Sequence, residues 1–481
     1  AGMLVDSLLC EPLLRLDPVT GKLRPGLAAT WIVSNGGRRI TMRLRKGARF
    51  ADGAKVTSDD VIASLSRAAS EEFAGNAADL LAPVDGWEEI SGRVQSARER
   101  DRRVLRGLAA IDGSSFSISL RAPDADFLRV LAHPVAAPVP RARAERDPDG
   151  FAAQPSCAGP YQLSAPWSPG DPVIRLVRNA RFKGTPVYAD VVEFHVAEDP
   201  LSLWQAGKVD VAPRPAARAA EVPEPDRVER PNGYVDYVGV PIADPQVRVA
   251  LSVALDRAAA AAASPARQPA RGFLPPAAGP AGRTDGCGEN APLRGDPTRA
   301  RALAQGRLPN PQAPIELLFN DELGNRPVVE AVARQWHDVL GLDVRLKPTP
   351  FDQIVRDGAR PEGVGAAFRM GWQPPAPRPE SYIGPLFTSA GVGRDNLARF
   401  VDPEVERKLA REARNASNEQ DRDLAYRAVE QQLCQAMPLI PVAAGVSRWA
   451  ARAAAVGGVT LDRARGWPVL RDMYVRSGGK P

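Results

Sequence analysis

The residues able to do metal or nucleophilic chemistry are few in this 481-residue chain, and their spacing suits neither. His133, His195 and His337 are the only histidines and fall in separate stretches, so no pair shares the helix face or turn that a zinc or nickel site requires. Adjacent carboxylates occur at Asp59-Asp60 and Glu88-Glu89. Helical neighbours point about 100° apart, so such pairs make poor acid–base couples. There is no GxSxG elbow, no HExxH helix and no phosphate-cradling GxxxxGK loop. The chain reads as a non-enzyme that needs no cofactor.

Cys10, Cys157, Cys287 and Cys434 include no CxxC pair, which argues against a zinc ribbon or a thioredoxin motif. Their even number and wide spacing fit two disulfides formed in an oxidising compartment; four buried thiols are the alternative. Of the three pairings open to four cysteines, Cys157 with Cys287 and Cys10 with Cys434 is preferred here. The net charge is +6, from 63 basic and 57 acidic residues, with arginine scattered and aromatics at 6%. A nucleic-acid groove would cluster the positive charge and interleave it with aromatics, so no nucleic-acid partner is expected. No apolar run approaches the roughly 18 residues that span a bilayer.

The elements that must position a site are legible from periodicity. Residues 39–45, 114–120, 172–178 and 190–196 read as strands. Thr57 and Asp60 form a capping box ahead of a helix whose apolar face carries Val61, Ile62 and Leu65. Asp199-Pro200 and Asp244-Pro245 each combine an N-cap with proline at the first helical position. Residues 212–231 read as a surface excursion, and the Pro/Gly-rich stretch 265–292 as a crossover between lobes. A strand at 315–319, a helix at 327–340 stopped by Gly341, and a strand at 342–346 predict a parallel α/β unit. A long helix spans 403–436 with a break near 415–418, and the charge-rich stretch 93–107 reads as solvated.

With these landmarks in place, the chain resembles the family 5 extracellular solute-binding proteins, which include oligopeptide-, dipeptide- and nickel-binding proteins. Residues 23–31, LRPGLAATW, resemble the family's LxPGLAxSW segment. LRKGARFADG at 44–53, followed by VTSDDV at 56–61, is similar to its LRKGvkFxDGxpxTAxDV signature. AGPY at 158–161, RN at 178–179, LWQAGKVD at 203–210, VRVAL at 247–251 and ALDR at 254–257 match further family segments. Most of these are scaffold, and Trp31 and Phe50 read as core residues.

The resemblance implies an α/β, two-lobed clamp of the periplasmic-binding-protein type II, with an extra small domain inserted in the first lobe. The implied division is 1–45, 155–242 and 451–481 in lobe I, 46–154 in the inserted domain and 243–450 in lobe II. It implies capture of a small-molecule or peptide ligand, delivery to the permease subunits of an ABC importer, and a monomer outside the cytoplasm. Contact with a membrane would be through an N-terminal lipid anchor only. A regulatory or scaffold role in cell-envelope assembly is the alternative within the same fold.

The family's cleft segment reads roughly GWxADYxDP; here residues 371–379 read GWQPPAPRP. Trp372 matches the family's ligand-packing tryptophan. Pro375 stands where peptide binders place the aspartate that pairs with the ligand's ammonium, and Ala376 where they place an aromatic. A buried ammonium without a counter-charge costs several kcal/mol, so a free peptide N-terminus loses its usual anchor. Glu380 could replace it, or Arg369 and Arg378 could favour an anionic or polyhydroxylated ligand. The expected contact set is Trp372, Arg369, Gln373, Arg378 and Glu380. The alternative is that both arginines reach solvent.

Overall fold

The computed structural model describes residues 2–476 except 71–77, 92–103, 125, 265, 309–313, 323, 375, 417 and 464. Most of the charge-rich stretch 93–107, and Pro375, lie outside the described residues.

The first unit begins with a short antiparallel ladder, β1 (Leu14–Leu16) with β2 (Leu23–Pro25). A four-stranded sheet follows, built from β3 (Ala28–Ser34), β4 (Arg39–Leu44), β5 (Leu108–Asp112) and β6 (Ser115–Ser119) in the order β3-β4-β6-β5. Alternation in β4 buries Ile40, Met42 and Leu44 and exposes Arg39 and Arg43, as a half-buried strand demands. The helix Ser58–Ala69 lays Val61 and Leu65 onto the same core. Its capping box is formed: the Thr57 N–H donates to Asp60 Oδ2 at 2.9 Å and the Asp60 N–H to Thr57 Oγ1 at 3.3 Å. Phe50 is fully buried and Trp31 half-buried against this core, which draws residues from both sides of position 46.

A three-stranded sheet, β7 (Tyr161–Leu163), β8 (Val173–Arg178) and β9 (Val191–His195), covers a smaller core with Val5, Leu8 and Leu9.

The second unit is built on seven strands: β10 (Val211–Pro213), β11 (Arg227–Gly239), β12 (Arg267–Pro269), β13 (Ile315–Phe319), β14 (Val344–Pro348), β15 (Ala367–Trp372) and β16 (Ile440–Ala451). Their order is β10-β16-β11-β15-β13-β14, with β12 also pairing β16. The predicted parallel unit is present, since β13 pairs in parallel with both β14 and β15. The connecting helix is Asn325–Leu340, ended by Gly341 at φ 70°, a left-handed conformation that glycine adopts without a Cβ penalty. The expected long helix is divided into Pro403–Lys408, a π-turn at Leu409–Ala413, and Glu419–Ala436 capped by Asn418.

Three expectations need correction. Residues 227–231 are not a surface excursion but the start of β11, whose backbone pairs with β16 from Arg227↔Ala450 onward. The described residues of 265–292 do not cross between lobes. They supply β12 and fill the second core with Phe273, Leu274, Ala278 and Ala281, all fully buried. Proline and glycine there mark irregular backbone that is held by side chains: Arg271 Nε donates to the Ala291 carbonyl at 2.9 Å, and Arg257 Nη1 to the Pro292 carbonyl at 3.1 Å. The cysteines pair as Cys10–Cys157 and Cys287–Cys434, with Cα separations of 4.8 and 5.1 Å. The preferred pairing would have joined separate cores. Instead, Gly159 N–H donates to the Leu9 carbonyl at 2.8 Å and draws Cys157 to Cys10. Asn290 Nδ2 donates to the Cys434 carbonyl at 3.1 Å and holds the Cys287 turn on its helix.

The same region contains a titrating switch of stability. Glu430 Oε1 accepts from the N–H groups of Phe273 at 2.7 Å and Leu274 at 2.8 Å. Burial outweighs these bonds and lifts the carboxyl to about 7. Because the folded value is raised, the stabilisation is complete at acid pH and is lost as pH rises through that value. Between the ordinary 4.5 and about 7, this group is expected to remove about 3 kcal/mol. Urea titrations across that window should show the slope in the native protein and a flatter one in Glu430→Gln; equal slopes would refute the assignment.

Candidate functional site

Strands β11 and β15 run antiparallel with Asp236 opposite Gly371 and Val238 opposite Arg369. Period-two alternation therefore places Tyr234, Asp236 and Arg369 on one face, and Val235, Tyr237, Met370 and Trp372 on the other. The second set packs with the second unit's core. Gly371 leaves the space that the Tyr234 ring occupies; a Cβ there would collide with it.

On the first face, a single buried carboxylate is shared by two arginines. Asp236 is ion-paired to Arg369 and Arg267, and accepts from the Tyr234 hydroxyl at 2.8 Å. Arg369 also donates to Asn320 Oδ1 at 2.8 Å, and Arg267 lies 4.6 Å over the Tyr234 ring. Burial and the Asp236 charge push the Tyr234 hydroxyl up to about 12. Burial alone would lower Arg369, but Asp236 beside it leaves the guanidinium more firmly protonated than usual. Two cations against one anion leave a net positive charge that can attract an anionic or strongly polar group.

The segment after β15 carries the rest of the expected set. Trp372 is half-buried, and its Nε1 donates to the Ser381 carbonyl at 2.9 Å, which fixes the ring. Gln373 is exposed and, among the described residues, makes no side-chain hydrogen bond. Ala376 packs into the first unit's core, so this segment spans both units. Arg378 reaches Asp124 of the first unit at 2.9 Å and donates from Nε to Ser381 Oγ at 3.1 Å. The alternative of solvent-reaching arginines does not hold: Arg369 and Arg378 are each 5% exposed, and each is paired with a carboxylate.

Around Arg378 the units meet through further charges. Asp126, at the start of the helix Phe127–Val130, lies 3.2 Å from both Arg129 Nε and Arg422 Nη1. Its burial raises its pKa, which the surrounding arginines oppose. Arg422 also binds Asp423 at 3.0 Å, and Arg129 reaches Glu419 of the second unit at 3.2 Å. Both oxygens of Glu380 are occupied, one by Arg414 at 2.7 Å and the other by the Tyr426 hydroxyl at 2.8 Å. It stands behind the wall rather than as a spare counter-charge.

The structure thus brings Arg378 and Glu380 into one interunit network. It places Arg369 and Trp372 on opposite faces of β15. Sequence reasoning missed Asp236, Arg267, Asp124, Asp126 and Arg422. One signal was available: Asp236 interrupts the apolar run YVDYVGV at 234–240, and a charge inside a buried strand implies a paired partner. The histidines are dispersed. His133 is buried, which holds its ring down to about 3. Among the described residues no three His, Cys, Asp or Glu side chains converge to hold a metal ion.

Comparison with known proteins gives a consistent picture. Residues 22–394 match the sequence profile described as bacterial extracellular solute-binding proteins, family 5, middle. The periplasmic oligopeptide-binding protein OppA of Salmonella typhimurium is 24% identical over 458 residues, covering 89% of this chain and 80% of that protein. The glutathione-binding protein GsiB of Escherichia coli O1:K1 is 24% identical over 444 residues, covering 88% and 80%. The unliganded open form of MppA, a periplasmic murein tripeptide binding protein, shares the fold with a TM-score of 0.82 at 22% identity, covering 98% of this chain and 92% of that one. Haemophilus influenzae OppA in complex with RPPGFSPFR superposes with a TM-score of 0.71 at 20% identity, covering 98% and 94%.

Proposed function

The chain belongs to the bacterial extracellular solute-binding proteins, family 5, and from that premise we propose that it captures a peptide-like ligand between two lobes and delivers it to an ABC importer. The family's α/β clamp is its fold, and a solute-binding role outside the cytoplasm follows from that membership. We read the lobes as the units built on the four-stranded and seven-stranded sheets, with hinge closure as the working motion. The observation that carries the reading is that the segment after β15 joins both units, through Ala376 and the Arg378–Asp124 pair.

In this reading Trp372 and Gln373 meet the ligand, while Arg369, Arg378 and Glu380 shape the wall from behind. Proline at 375, in place of the family's aspartate, favours a ligand whose binding does not depend on a free ammonium. The permease, the monomeric state and a lipid anchor ahead of Ala1 are part of the same proposal. Capture of a peptide-like ligand is supported by peptide-binding relatives along most of the chain. No helix among the described residues is long and apolar enough to cross a membrane.

Native mass spectrometry of the freshly purified protein should find a co-purified small ligand, and calorimetry then tests the wall. Trp372→Ala is expected to weaken binding about tenfold or more, the scale of a lost aromatic contact, while Trp372→Phe retains most of the affinity. Unchanged affinity in Trp372→Ala with an intact melting transition would remove Trp372 from the site.

A further inference from the structure

A cavity of about 500 Å³ opens on the first unit and shares no residue with the site just described. The first strand pair builds its base. Arg15 of β1 stands directly opposite Arg24 of β2, two like charges side by side on one face. Such a cross-strand pair is destabilising unless something lies between the charges. Arg45, Lys183, Asp17 and Asp472 complete the charged lining, giving four cations against two carboxylates.

The two lining carboxylates leave a surplus of two positive charges. Asp17 is turned to its own loop, where Oδ1 accepts from the N–H groups of Val19 at 3.1 Å and Thr20 at 2.8 Å, and only a 3.4 Å contact reaches Arg24. Behind the cavity, buried Glu11 is paired with Arg471 at 2.9 Å. Arg45 spends one donor on the Gly26 carbonyl. Arg15 is half-buried and, among the described residues, makes no hydrogen bond or ion pair; Lys183 is exposed and likewise free. Burial and the nearby Arg471 make the Arg15 cation harder to hold, and the charges of Glu11 and Asp472 offset this only in part.

We propose that this cavity is a second binding site, taking the phosphate group of a small ligand between Arg15, Arg24 and Lys183. Guanidinium forks match the tetrahedral array of phosphate oxygens, and an ammonium adds a point charge at the rim. The volume is that of a pocket for a small organic molecule rather than for a bare ion, so the phosphate is expected to carry an organic group. The ligand chemistry is shared by free phosphorylated solutes and by phospholipid headgroups, and the test separates them.

The full chain is titrated by calorimetry with inorganic phosphate and with glycerol 3-phosphate, and sedimented with phosphatidylcholine vesicles with and without phosphatidylglycerol. The same is done with Arg15→Gln/Lys183→Gln, which removes two side chains that make no hydrogen bond or ion pair among the described residues. The proposal expects saturable binding that weakens with salt and falls about tenfold or more in the variant, at a melting temperature no lower than that of the native protein. Binding of the soluble anions, lost in the variant, assigns the site to a free phosphorylated solute. Binding only to phosphatidylglycerol vesicles, lost in the variant, assigns it to a lipid headgroup. No saturable binding of either kind, or binding that survives the double substitution, overturns the proposal.

Discussion

Replacing Asp236 by alanine is expected to cost about 3–5 kcal/mol of folding stability, read as a lower midpoint in guanidinium denaturation. Asp236 is 2% exposed and is the carboxylate paired with both Arg267 and Arg369, which are themselves almost fully buried. Its removal leaves two guanidiniums facing each other without a counter-charge, in a setting where water cannot solvate them. The loss would exceed that of any single hydrogen bond in the cluster, each worth about 1 kcal/mol. Asp236→Asn keeps the shape and one acceptor but not the charge, so it should fall between the native protein and Asp236→Ala. A loss below about 1 kcal/mol for the alanine variant would mean that the arginines find other partners and that the cluster is not the keystone of β11 and β15.

The second large effect is expected from the Cys287–Cys434 bridge. It closes a separation of 147 residues and ties the Pro/Gly-rich segment to the helix Glu419–Ala436. In the chain-entropy view, a loop of that length restricts the unfolded state by about 5 kcal/mol, and measured losses are usually about 2–5 kcal/mol. Cys287→Ala/Cys434→Ala should therefore melt well below the native protein. Under a reductant that also opens Cys10–Cys157, the native protein should lose at least as much. A variant that melts within a degree of the native protein would show that the packing of Phe273 and Leu274 fixes this segment unaided.

Much of the architecture could be read from the chain because local rules and tertiary packing agree. The capping box at Thr57, the Asp-Pro helix starts and the strand–helix–strand run closing at Gly341 all appear where their residues place them. Agreement fails where long-range contacts override composition. The 265–292 segment looks like a linker because proline and glycine break periodicity, yet Arg257, Arg271 and Glu430 supply the hydrogen bonds its irregular backbone lacks. No local signal announces those partners. The disulfide pairing was hidden for the same reason: it depends on which strands meet, and spacing alone leaves three possibilities open.

The site was legible only as a segment. Family resemblance pointed to residues 371–379, but not to the direction of each side chain. Strand alternation separates Arg369 from Trp372, and the partner of Arg378 lies 254 positions away at Asp124. Asp126 and Arg422 of the same network, 3.2 Å apart, lie 296 positions apart in the sequence, so no local pattern pairs them.

The interunit network described around Arg378 bears on reversibility. The pairs Arg378–Asp124, Arg422–Asp126 and Arg129–Glu419 join the halves through ions, beside the packing of Ala376. When ions part, water re-enters and solvates both sides, whereas parting an oily seam would bare a sticky surface. A seam made this way can be undone and remade many times without attracting neighbouring molecules, which is what repeated cycles of loading and unloading demand.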